Sequence, residues 1–201
     1  MILLEVHEGV LDGEQFSLTR PAAAGGWRLL TPCDQDVSPA FDEGGQQQPV
    51  SREQIFGACP LLREGFSPQG SGNARVFGQL LNLILSRLQG GGDIRELFDH
   101  KQLHEVGTAT VTLGSGQTED AKILQFEKKK TIVRILWLYG RPGKTLLITH
   151  TFVKPGGHVQ TTPQAEKDRA QRIFQSYVRA HDAKTVQLIT AQGGRDGYQS
   201  L

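Results

Sequence analysis

The sequence predicts an α+β protein: an αα-hairpin, then an antiparallel sheet, then a C-terminal helix, all behind an irregular N-terminal extension. Three observations predict it. Residues 74–89, ARVFGQLLNLILSRLQ, carry a wide helical apolar stripe. Four short β-rich runs follow between Ala109 and Val153. After Thr162-Pro163 the period returns to that of a helix.

Each element has a local cause. Val76, Leu80, Leu81, Leu83, Ile84, Leu85 and Leu88 line one side of the first long helix. Gly90-Gly91-Gly92 stops it, because glycine carries the left-handed conformation that ends helices. DIRELFDHKQL reads as a second short helix, with Asp93 at its N-cap and Glu96 three residues on, which completes the αα-hairpin. ATVTL opens the sheet and ends at Gly114-Ser115-Gly116; AKILQFE, TIVRILWLY and LLITHTFV follow. TIVRILWLY is apolar on both faces and reads as central. Arg141-Pro142-Gly143 supplies a hairpin loop to the last strand, where His150, Phe152 and Lys154 share a face. Pro163 suits the first turn of the last helix. With Arg169 at zero and about 100° per residue, Arg172 and Arg179 fall near 300° and 280°, apart from Ile173, Phe174, Tyr177 and Val178.

The flanks read differently. Residues 1–72 form an extension: MILLEVHEGVLDG and GGWRLLTP suggest short strands, with a turn at Asp12-Gly13. SREQIFGACPLLREGF suggests a short helix capped by Ser51. The Gly-, Pro- and Gln-rich pieces between them lack periodicity and read as loop or linker. The main domain spans 73–184, and residues 185–201 read as a mobile tail.

Charge is unevenly spread. Residues 121–184 hold 13 Lys or Arg against 4 Asp or Glu, a net of +9; the remaining 9 and 17 of the totals 22 and 21 give −8. A basic region of this kind attracts phosphate through counterion release and points to RNA. An acidic extension can dock on such a face and mask it. Cys33 and Cys59 are not in a CxxC pair, so a structural zinc site is not expected; two free thiols are the first reading and one disulfide in a secreted chain the second. The N-terminus MILLEVHEG lacks the basic and apolar regions of a signal peptide, and VFGQLLNLILSRL is too short and interrupted to span a bilayer. A soluble, cytoplasmic protein without membrane partners is expected.

The residues from Thr131 to Ala180 resemble the RelE/HigB toxin superfamily, in particular its HigB-like, phage Gp49-like branch. The matching features are the Arg of VRILWLY, the His, Phe and Lys of ITHTFVK, and the Thr-Pro and Arg-bearing helix of TTPQAEKDRAQRIFQSY. The resemblance covers roughly residues 74–182. It departs where the branch has Glu-Leu-Arg and this chain reads ILQFE, with Gln125 near the expected Arg. It departs again where Lys154 is followed by Pro155 rather than a second Lys. The resemblance implies a RelE-like fold and a toxin of a toxin–antitoxin system. Its activity would be that of a ribosome-dependent endoribonuclease, cutting mRNA by attack of the ribose 2′-OH on phosphate with neither metal nor cofactor. The implied partners are mRNA, the ribosome and an antitoxin protein. On this reading Arg134, Lys154 and Arg172 clamp phosphate, while His158, Lys154 or Tyr177 moves protons. Lys122, Lys128, Lys129, Lys130, His150, Arg169 and Arg179 would contact RNA. Two alternatives stay open on the same fold: a non-catalytic RNA- or protein-binding module, and a gyrase-type inhibitor.

Overall fold

A computed structural model describes residues 1–6, 26–35, 42–46, 52–67, 71–128, 131–140, 143–154, 161–189 and 198–200. They form a mixed α+β structure around one sheet. Its strands are β1 (Ile2–Glu5), β2 (Arg28–Cys33), β3 (Leu103–Thr112), β4 (Thr118–Glu127), β5 (Val133–Tyr139), β6 (Thr145–Val153) and β7 (Gln187–Ile189), with a short β8 (Tyr198–Ser200) at one edge. The helices are α1 (Arg52–Ala58), α2 (Pro60–Gly65), α3 (Ser71–Leu88), α4 (Ile94–Leu97) and α5 (Gln164–Asp182).

The strand order is β3-β4-β5-β6-β2-β1-β7-β8. The run β3 to β6 is an antiparallel meander, as expected. Gly116, at φ +83°, makes the turn between β3 and β4, closed by the Leu113 N–H on Gln117 O at 2.8 Å. Asp93 caps α4 by accepting from the Arg95 N–H at 2.7 Å, and Gly91 and Gly92 end α3 at positive φ. The αα-hairpin is shorter than expected: α4 is a single turn, and β3 begins at Leu103 rather than Ala109.

The irregular N-terminal extension requires correction. β1 and β2 lie inside the sheet, antiparallel to each other, with β2 parallel to β6 and β1 parallel to β7. Leu3, Leu4, Leu29 and Leu30 are buried with the rest of the core, so no division at residue 72 separates the first strands from the domain. The physical reason is pairing: β2 hydrogen-bonds the edge of β6 and β1 that of β7, so backbone groups of both strands find partners there. The tail beyond 184 likewise contributes two strands. Ser51 and the Asp12-Gly13 turn lie outside the described residues.

Two apolar layers sandwich the sheet. On one side α1 to α4 pack with Leu4, Leu29, Phe126, Val133, Ile135, Trp137, Leu146 and Ile148. Phe98, Phe126 and Trp137 meet there, with ring centroids 5.1 to 5.9 Å apart. On the other side Ala170, Phe174, Tyr177 and Val178 of α5 cover Leu3, Leu30, Leu136, Leu138 and Leu147. β5 serves both layers by strict alternation, which explains why its sequence is apolar on both faces. Helix α5 also closes the edge strand β3. The Thr110 N–H donates to Gln171 Oε1 at 2.9 Å, and the Gln171 and Gln175 side chains donate to Thr110 O. A side-chain amide thus takes the place of a further strand.

Candidate functional site

The α5 side of the sheet carries a polar cluster at the end where β5 begins and β6 finishes. It starts from register. Glu127 of β4 stands directly across from Arg134 of β5, and Gln125 across from Leu136. Arg134 shares its face with Leu136 and Leu138, which pack under α5, so its guanidinium enters the layer beneath that helix. It is 6% exposed. Its Nε lies 2.6 Å from Glu127 Oε2, and Nη1 donates to Thr131 O at 2.7 Å and Val133 O at 2.9 Å. The Nε–H is poorly aligned with the carboxylate, so the contact is Coulombic more than hydrogen-bonded. Burial lowers the guanidinium pKa while Glu127 opposes that shift, and an arginine stays charged regardless. Gln125 extends the chain: its amide donates to Glu127 at 3.1 Å, and it accepts from the Thr162 hydroxyl at 2.7 Å.

A β-bulge builds the second half. Leu136 pairs with His150 and Trp137 with Ile148, so Thr149 is an extra residue on β6. The bulge reverses the alternation and turns His150 toward α5, where Nε2 lies 3.0 Å from Glu166 Oε2. His150 is fully enclosed, and its Nδ1 has no partner among the described residues. Burial, helped by the positive Arg169, pushes its pKa down to about 3. The ring is therefore neutral and can donate Nε2–H to Glu166. Arg169 itself makes a two-point contact with Glu64 of α2, at 2.7 and 3.0 Å.

The expected site residues therefore separate. Arg134, His150 and Tyr177 are enclosed, Tyr177 entirely so in the α5 layer, and none of them is available to a phosphate or a base. Arg169 is held by Glu64, and Lys122 by Glu105 at 2.7 Å. Lys154 is half-buried just past β6, its N–H on Ile132 O at 2.8 Å, near Arg134 and on the same side of the sheet. Lys128 is exposed at the end of β4. Arg172 and Arg179 are exposed on α5, opposite its buried stripe of Ala170, Phe174, Tyr177 and Val178. A helix about 10 Å across stands between Arg172 and Arg134. The expected cradle of Arg134, Lys154 and Arg172 is not formed, because one arginine points under α5 and the other away from it. Lys129, Lys130 and His158 lie outside the described residues.

Sequence reasoning missed the carboxylates that meet these side chains. Glu127 and Arg134 were recoverable, since they flank one hairpin and meet once its register is set. Glu166 and Glu64 left no comparable signal. Among the described residues no group of His, Cys, Asp and Glu is placed to hold a metal, and no helix is long and apolar enough to cross a membrane. Comparison of the chain with protein-family models, with curated proteins and with solved structures finds no match.

Proposed function

We propose that this protein is a non-catalytic module that binds single-stranded RNA through the outer face of α5. One observation carries the reading: Arg134, Arg169 and Lys122 are each paired with a carboxylate, Glu127, Glu64 and Glu105, while Arg172 and Arg179 stand exposed on α5 without a carboxylate partner among the described residues. Seven residues apart on a helix, they stand about 10 Å from each other along one surface, a span that takes two phosphates of one strand. The net charge of +9 over residues 121–184 supports attraction of a polyanion. The mRNA endonuclease reading needs Arg134 and Arg172 on a single phosphate, and the gyrase-inhibitor reading has no observation of its own.

The test is fluorescence anisotropy with a labelled single-stranded RNA across a salt series. Binding should weaken with salt. Arg172→Ala combined with Arg179→Ala should reduce the slope of log K against log salt by about 1.4, roughly 0.7 for each lost phosphate contact, and the RNA should be recovered intact. A slope unchanged in the double variant, the absence of binding, or cleavage to discrete ends would each overturn the proposal.

A further inference from the structure

Cys33 and Cys59 are 26 positions apart in sequence but adjacent in the fold. The Asp34 N–H donates to Ala58 O at 2.9 Å. That bond joins the Cys33–Asp34 peptide to the Ala58–Cys59 peptide, so each cysteine directly flanks it. A backbone bond between those peptides holds the two Cα atoms close to one another, as a disulfide requires. Both side chains meet the same apolar layer. Cys33 packs against the α1–α4 layer and Cys59 lies within it, fully buried. Cys59 starts α2, and its sulfur faces the Leu61 and Leu62 amides and the Thr31 hydroxyl. These groups lie close to the sulfur without closing regular hydrogen bonds, and the Thr31 oxygen is otherwise unpartnered. The neighbouring Cys59 sulfur and burial raise the Cys33 thiol pKa far above its ordinary range, while the proximity of Cys33 lowers that of Cys59. Both are free thiols here, and Cys33 is partly exposed.

We propose that Cys33 and Cys59 form a reversible intramolecular disulfide that ties the end of β2 to the start of α2, with a low-molecular-weight disulfide as oxidant. Cys33 is the sulfur such a reagent reaches. As it gives up its proton to the neighbouring Cys59 sulfur or to water, it attacks one sulfur of RSSR, forming a Cys33–SR mixed disulfide and releasing RSH; the raised thiol pKa of Cys33 makes this first step the slow one. Cys59 then attacks Cys33 Sγ, forming the Cys33–Cys59 bond and releasing the second RSH. Two thiols are oxidised, one RSSR is reduced to two RSH, and both protons leave with those thiols. The closed bond joins elements already held by a backbone hydrogen bond, so it forms without rearranging the sheet. It closes the chain between positions 33 and 59 into a covalent loop and restricts the unfolded chain there. The Arg63 contacts to Asp34 at 2.7 Å and to Gly57 O hold the same junction from outside.

Incubating the full chain with glutathione disulfide, followed by acid quench, maleimide alkylation and intact-mass measurement, tests this. The expected product takes up no maleimide and no glutathione, and is two hydrogens lighter than the reduced chain. It melts roughly 10 °C higher and reverts with dithiothreitol. Cys59→Ser should instead hold glutathione on Cys33 with no rise in melting temperature. Should Cys59→Ser fail to fold, Cys33→Ser, at the partly exposed position, serves as the control: it should give no internal bond and no thermal shift. A wild-type chain that ends as a stable glutathione adduct, forms only dimers between chains, or keeps both thiols open to maleimide would overturn the proposal.

Discussion

Arg134→Ala separates a structural arginine from a phosphate clamp. The side chain is 6% exposed, contacts Glu127 at 2.6 Å and occupies the carbonyls of Thr131 and Val133 at 2.7 and 2.9 Å. Truncation leaves a carboxylate and two carbonyls without their partner. Removing one member of a buried pair costs about 3–5 kcal/mol. Glu127 is 23% exposed and gains some water, which places the expected loss near the lower figure, about 3 kcal/mol. For a chain of this length that lowers the melting temperature by roughly 6 to 12 °C. Guanidinium chloride unfolding should show a shifted midpoint and an unchanged slope. Adding Glu127→Gln to Arg134→Met should recover part of the loss, because no charge is then stranded. RNA affinity should be unaffected wherever the variant is folded. An Arg134→Ala protein that melts within about 2 °C of the wild type, or that loses RNA affinity at full stability, would refute the structural assignment.

His150 makes stability fall with acid. Its pKa is about 3 when folded and 6.5 when unfolded, so between those values the unfolded chain binds the extra proton. The stability it contributes is present above pH 6.5 and is lost as pH falls toward 3, at up to about 1.4 kcal/mol per pH unit. His150→Leu should flatten that part of the stability–pH curve, and equal slopes for both proteins between pH 6.5 and 4.5 would dismiss the idea. Gly65 sits where α2 crosses α3, and a Cβ there would run into the Phe77 ring. Gly65→Ala should cost about 1–3 kcal/mol in chemical denaturation, and Phe77→Leu in the same chain should relieve part of it.

The Leu-rich stripe of α3, the glycine stop after it, the Asp93 cap and the four strands of the meander were all readable, because each rests on contacts within a few residues. Tyr177 was readable as a core residue from its helical phase, and its burial follows that phase. The candidate site was only partly legible. Arg134, Lys154 and Arg172 were correctly placed on their elements, yet which side of α5 each arginine takes depends on how the helix rolls onto the sheet. His150 needed the extra Thr149 to reach the α5 side, and a one-residue bulge has no sequence mark of its own here.

By itself, then, the sequence determined the mixed α+β class, the meander, the last helix and a basic C-terminal half, since periodicity, turn chemistry and charge are written along the chain. Tertiary structure alone decided that β1 and β2 enter the sheet beside β6 and that β7 closes against β1. It also decided that Glu127 meets Arg134, that Glu64 meets Arg169, that Glu166 meets the His150 ring, and that Cys33 meets Cys59. These outcomes depend on pairing between residues tens to nearly two hundred positions apart. Free strand edges and buried charges must find partners across the fold, and no local pattern names those partners in advance.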